Sequence, residues 1–218
     1  VISLWWKLSS NDTLFVQIPV VLNVKSILYR LLVWKKVRLE ILIHDLDSLR
    51  ESSASNKLEN YILKRASVII AHTNTMKGEL IKRGIDKDKI EVLYLFDYLT
   101  ETTNKYKTSF DNKIIFAGNL EKSVFLKDLF LCNNCQFLLY GLPSNNLVES
   151  TNVVYKGKFS SEDISLIEGS WGLVWDGDSI ETCSGSLGEY LRINSSHKLS
   201  LYIASEKPVI VWSKSSLA

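Results

Sequence analysis

Two short segments gather the residue types that move protons or hold phosphate. The first is His44-Asp45-Leu46-Asp47-Ser48-Leu49-Arg50, which directly follows the apolar run Ile41-Leu42-Ile43. One imidazole and two carboxylates at the mouth of a buried strand can serve as a general base toward a hydroxyl. The same residues equally suit a helix cap at Asp45 or Asp47 and a packed core histidine at His44. The second segment runs from Gly185 through Tyr190 and Asn194-Ser195-Ser196 to His197-Lys198. Asn194 or one of the two serines caps the helix that follows, leaving backbone N–H groups at its positive end, where phosphate binds. Lys198, in the first turn, opposes the helix dipole unless an anion lies beside it. Its position therefore predicts a ligand carrying a diphosphate, with a solvent-exposed lysine as the alternative.

Weaker signals flank these two. Gly118-Asn119 and Tyr140-Gly141 each close an apolar run with a glycine that admits close backbone approach to a ligand. Trp175, at another strand end, can stack on a base or a sugar. Cys132-Asn133-Asn134-Cys135 has metal-ligand spacing, but no second Cys/His pair lies near it in sequence, so half-buried thiols are expected and no metal.

All these residues stand at the ends of apolar runs, so the scaffold must gather strand ends on one side. The expected strands are Leu14 to Ile18, Leu39 to Ile43, Ser67 to Ala71, Ile90 to Leu93, Lys113 to Ala117, Gln136 to Tyr140, Val153 to Tyr155, Trp171 to Trp175 and Pro208 to Trp212. Helical periodicity falls between them at Lys25 to Lys36, Lys57 to Arg65, Thr75 to Arg83, Ser123 to Cys132, Ser161 to Glu168 and His197 to Ser205. This alternation predicts an α/β fold with parallel sheets, and a polar stretch from Tyr98 to Asn112 reads as a linker. Two Rossmann-like domains are expected, at residues 1–104 and 105–218, with ligands at the carboxyl ends of their strands. One larger doubly wound domain is the alternative. The chain opens on Val1 and stops soon after the strand at Pro208, so each domain is expected to be incomplete at its outer end.

Composition narrows the function. Lys plus Arg (26) nearly balances Asp plus Glu (24), a net charge of +2 that argues against nucleic acid as a partner. The three cysteines cannot make a paired disulfide framework, and no targeting signal is evident, so a reducing cytoplasm is expected. The most apolar stretch, Leu14 to Trp34, is interrupted by Gln17, Pro19, Asn23, Lys25 and Arg30 and is no clean membrane span. No Gly-x-Gly-x-x-Gly fingerprint occurs, which disfavours a dinucleotide-dependent oxidoreductase.

Six segments in order resemble GT-B glycosyltransferases of the bacterial galactofuranosyltransferase group, which is similar to the glucosyltransferases that extend sugar on serine-rich-repeat adhesins. They are His44 to Arg50, Ala71 to Lys77, Phe96-Asp97-Tyr98, Phe116 to Lys122, Gly172 to Gly177 and His197 to Tyr202. The resemblance implies inverting, metal-independent transfer of galactofuranose, glucose or galactose from a UDP-sugar to a glycan, glycopeptide or lipid-linked acceptor, in a cleft between two domains. It implies no cofactor. Gly118, Asn119, Tyr140, Gly141, Trp175, Tyr190, Asn194, His197 and Lys198 would hold the nucleotide, and His44, Asp45 and Asp47 would supply the base. Glu181 and Glu189 have the E-x7-E spacing of retaining enzymes, but Glu189 precedes the helix that carries the second glutamate in those proteins. A non-catalytic scaffold subunit is the alternative function. Homo-oligomerisation and contact with the inner face of a membrane are left open.

Overall fold

The computed structural model describes residues 2–20, 25–50, 56–101, 111–145 and 147–218. It divides into two compact units, Val1–Tyr94 and Leu95–Ala218. The division lies ten residues ahead of the expected boundary at residue 104. Thr100 and Glu101 belong with the second unit because both bond to the Glu162 carbonyl, through the Thr100 hydroxyl at 2.8 Å and the Glu101 N–H at 3.0 Å. Most of the stretch expected as a linker, residues 102–110, lies outside the described residues.

In chain order the first unit comprises α1 (Ile2–Lys7), β1 (Thr13–Ile18), α2 (Lys25–Trp34), β2 (Arg38–Ile43), α3 (Asp47–Arg50), α4 (Asn56–Leu63), β3 (Val68–Ala71), α5 (Asn74–Lys82), a 3-10 turn at Lys87–Lys89, and β4 (Ile90–Val92). The strands form one parallel sheet in the order β1-β2-β3-β4. Leu39, Ile41 and Ile43 alternate along β2 and are fully buried, as on a strand with a helix-covered face. Helix α5 starts at the Thr73 cap, whose hydroxyl accepts the Met76 N–H at 3.1 Å, and stops at Gly84, which takes the positive φ of 79° that a helix terminus favours.

The second unit contains β5 (Lys113–Ala117), a 3-10 segment (Val124–Leu131), β6 (Gln136–Tyr140), β7 (Val153–Gly157), β8 (Trp171–Val174), α6 (Gly185–Tyr190), α7 (His197–Ala204) and β9 (Val209–Val211). Its sheet is parallel with order β7-β6-β5-β8-β9. The chain winds outward from β5 to β7 and then returns to the other side of β5, so the order reverses between β5 and β8. Both faces are covered. Ile115, Leu138 and Val174 pack with Leu201 and Tyr202 on one face, and Phe116, Phe137, Leu139 and Leu173 pack with Phe125 and Leu129 on the other.

At the reversal, β5 and β8 pair only through Ile114–Trp171 and Ile115–Gly172. Beyond that point the Ala117 N–H donates instead to the hydroxyl of Tyr202 at 2.9 Å. The same hydroxyl lies 3.3 Å from the carbonyls of Ile115 and Leu173, one on each strand. Tyr202 is wholly buried, and a Cβ at Gly172 would sit 2.2 Å from its ring. A glycine in β8 thus lets a side chain from α7 replace the missing rungs of the sheet.

Two expected helices differ. Ser161 to Glu168 is a run of turns, because local bonds compete with the helix: the Ser160 hydroxyl accepts the Glu162 N–H at 3.3 Å and Asp163 accepts the Ser165 N–H at 2.9 Å. Ser123 to Cys132 is 3-10 rather than α, with the Ser123 hydroxyl donating back to the Asn119 carbonyl at 2.8 Å. The short helices α1 and α6 lie outside the expected set. Among the described residues no helix is long and apolar enough to cross a membrane.

Candidate functional site

Helix α7 follows the end of β8 and begins on the carboxyl side of the second sheet. Ser196 is its cap, with its hydroxyl accepting the Lys198 N–H at 3.4 Å. Asn194, the other candidate cap, accepts the Ser216 hydroxyl on its carbonyl at 2.6 Å. Its side-chain Oδ1 is buried with no hydrogen-bond partner among the described residues. Lys198 carries the charge. Its Cε lies 3.0 Å from where a Cβ at Gly118 would stand, and its ammonium lies 5.1 Å from the centroid of the Phe116 ring. The lysine stem thus crosses Gly118. The Gly141 position is more crowded, since a Cβ there would fall 2.2 Å from the Gly118 carbonyl oxygen.

The anion demanded by a lysine at a helix start is also the chain's own. Both carboxylate oxygens of Asp176, two residues past the end of β8, hold the Lys198 ammonium at 2.9 and 2.8 Å. The side chains are only 15% and 25% exposed. Asp176 was not singled out from the sequence, although Trp175-Asp176-Gly177 stands at a strand end as His44-Asp45 does. Its loop closes tightly: a Cβ at Gly177, where φ is 108°, would meet the Ser184 carbonyl at 2.1 Å, and one at Gly188 would meet Cys183 at 2.4 Å. Cys183 is fully buried here, and burial pushes its thiol up to about 11.

The remaining nucleotide-side residues divide between this site and the core. Gly118 and Asn119 are exposed at the end of β5, where Asn119 Oδ1 accepts the Lys122 N–H at 3.1 Å and closes the turn. His197 is exposed and stacks on Phe96, with ring centroids 4.4 Å apart. Phe96 belongs to one of the six segments that carry the resemblance, but its contact with His197 could not be read from sequence. Tyr140, by contrast, is in the core, its hydroxyl accepting the Glu168 N–H at 3.0 Å. Trp175 packs beside Cys183, Leu191 and Trp212 and donates its indole N–H to the Ser179 carbonyl at 2.9 Å. Tyr190 is buried, and its carbonyl accepts the Ile193 and Asn194 N–H groups. Tyr140 and Tyr190 are thus buried, and Trp175 is half-buried.

In the first unit, the Ile18 carbonyl at the end of β1 accepts the N–H groups of both His44 and Asp45, at 2.8 and 3.3 Å, and so fixes the turn leaving β2. Asp45 is ion-paired with Arg50, and His44 Nε2 is hydrogen-bonded to Gln17 Oε1 at 3.0 Å. Asp47 is the first residue of α3, whose next residue, Ser48, donates its hydroxyl to Glu59 at 2.6 Å. Buried His72 lies with its Nε2 2.7 Å from the last carbonyl of β2, so that nitrogen carries the proton. The three candidates for the base thus stand together at one strand end. Cys132 and Cys135 are half-buried, and burial raises the Cys135 thiol. Among the described residues no group of three His, Cys, Asp or Glu side chains is gathered to hold a metal ion.

Comparison with known proteins gives this geometry a family. A model of the N-terminal domain of glucosyltransferase 3-like proteins matches residues 3–95, and one of their C-terminal domain matches residues 114–218. The β-1,6-galactofuranosyltransferase WbbI of Escherichia coli (strain K12) is 36% identical over an alignment of 220 positions that covers 97% of this chain and 63% of WbbI. The chain thus spans less than two thirds of this relative's length. Among solved structures, Anabaena HepE in complex with UDP matches with a TM-score of 0.64 at 13% identity, over 96% of this chain and 62% of HepE. HepE has also been solved with UDP-glucose. The lipopolysaccharide outer core galactosyltransferase WaaB matches with a TM-score of 0.53 at 15% identity, over 96% of this chain and 58% of WaaB. At those identities the two structures speak for the fold alone, a GT-B pair of parallel α/β units. With both domain models matched in order along most of its length, the chain belongs to the glucosyltransferase 3-like family.

Proposed function

We propose that the full-length protein transfers a hexose from a UDP-sugar to a hydroxyl of a glycan acceptor in the synthesis of a cell-surface polysaccharide or glycoprotein. The observation that carries this reading is the Lys198 ammonium, held across Gly118 at the start of α7, where the order of the second sheet reverses. A cation at the positive end of a helix suits the charge that develops on a departing diphosphate. The name of WbbI supports a galactofuranose donor, and the HepE complexes support UDP as the carrier.

In the reaction, the acceptor oxygen attacks the anomeric carbon as the bond from that carbon to the diphosphate oxygen breaks. Displacement in one step inverts the configuration. The acceptor's proton passes to the cluster of His44, Asp45 and Asp47, where Arg50 orients the Asp45 carboxylate. UDP leaves toward Lys198 and the first turn of α7. Asn119 and His197, exposed at the same sheet end and helix start, complete the donor side. No metal is required, and three unpaired cysteines suit a cytoplasmic setting.

Calorimetric titration of the full-length protein with UDP tests the donor site. Lys198→Ala should weaken UDP roughly tenfold or more, as loss of a charge-assisted phosphate contact does. Transfer of labelled sugar should survive EDTA. Asp45→Asn should lower transfer by about 10²–10⁴-fold while leaving UDP affinity unchanged, as loss of a general base requires. Binding without any transfer by the purified wild type would point to the scaffold reading instead.

A further inference from the structure

Lys198 has three N–H donors, and the Asp176 carboxylate takes two of them, at 2.9 and 2.8 Å. The lysine stem passes over Gly118, where no side chain intervenes, and its head lies over the Phe116 ring. The Asp176 carbonyl lies close beside Gly188, where a Cβ would come within 3.1 Å of it. The carboxylate itself can turn on two side-chain torsions without any change in the backbone. A carboxylate and a diphosphate are both anions, and one ammonium cannot serve both fully. They also repel each other at the few ångströms that separate ligands of one cation.

We propose that Asp176 is an internal counter-ion that the donor's diphosphate displaces from Lys198, so that this residue sets nucleotide affinity by competing with the ligand for a single cation. The inference rests on the donor-site reading above. With the diphosphate bound, Asp176 turns off the ammonium. When UDP departs, the carboxylate returns and neutralises Lys198, which favours release of the product. Asp176 is accordingly a positioning residue whose charge weakens binding.

Titration of full-length wild type, Asp176→Asn and Lys198→Met with UDP and with uridine tests this. The asparagine keeps the shape and removes the charge. Asp176→Asn should bind UDP roughly tenfold more tightly, the size of effect that removing one nearby like charge gives. Uridine, which lacks the diphosphate, should bind both proteins alike, and adding Lys198→Met to Asp176→Asn should erase the gain. If Asp176→Asn does not fold, Asp176→Ser removes the same charge and should shift UDP affinity in the same direction. Unchanged or weaker UDP binding by a folded charge-free variant, beside a wild type that binds UDP, overturns the competition and leaves the donor site standing. A wild type that binds no UDP overturns the donor site and this inference together.

Discussion

A lysine in the first turn of a helix costs stability, and Asp176 offsets that cost in the folded chain. The pair is asymmetric. Removing Lys198 leaves a carboxylate that is 25% exposed and can turn to water, whereas removing Asp176 leaves a half-buried ammonium, 15% exposed, on a helix start whose dipole disfavours it. Asp176→Ala should therefore destabilise the protein by about 1–2 kcal/mol and Lys198→Ala by less, as read by denaturant melts. Cys183 gives a second residue-level expectation. Its thiol is raised from 9.0 to about 11, so the folded protein keeps a proton that the unfolded chain loses. That contribution is whole below pH 9 and is lost as pH rises to about 11, a decline on the order of 2–3 kcal/mol. Melts across that window should fall more steeply for wild type than for Cys183→Ala. A thiol-reactive dye should reach Cys132 and Cys135 long before Cys183. At this scale the sequence was only partly legible. Lys198 announced itself by opposing a dipole, but the partner that answers it lies 22 positions away and no local rule joins the two.

At the scale of elements, the site depends on how α7 is seated. Tyr202→Phe should keep the ring over Gly172 but orphan the Ala117 N–H, at a cost of about 1–3 kcal/mol. Gly172→Ala drives a methyl into the Tyr202 ring and should cost at least as much. Thermal melts of both variants check this. Every strand was legible, because apolar runs bounded by polar turns identify buried parallel strands. The burial of Tyr140 and Tyr190 was not legible, because a strand-end or helix-end aromatic looks identical in sequence whether it turns outward or inward. The helix expected at Ser161 to Glu168 failed because serine and aspartate side chains captured the backbone donors that a helix would have used.

For the whole molecule, the two units carry separate sheets and separate buried cores. Nucleotide that binds only the second unit should stabilise that unit by mass action, about 2.7 kcal/mol at a hundredfold excess over Kd. Calorimetric unfolding of the full-length protein should then show UDP raising the transition of residues 95–218 and leaving the other nearly in place. The near-balanced charge of the chain agrees with this picture, since a diphosphate site needs only a few cations. Tyr202 has one more consequence for how such a site is assembled. With its hydroxyl bonded across two strands and its ring lodged in the notch at Gly172, Tyr202 resists any slide of α7 along the sheet. The start of α7, one turn away, thereby keeps a fixed register against the ends of β5 and β8, so the lysine and the aspartate that meet there are brought together by a tyrosine that is bonded to neither.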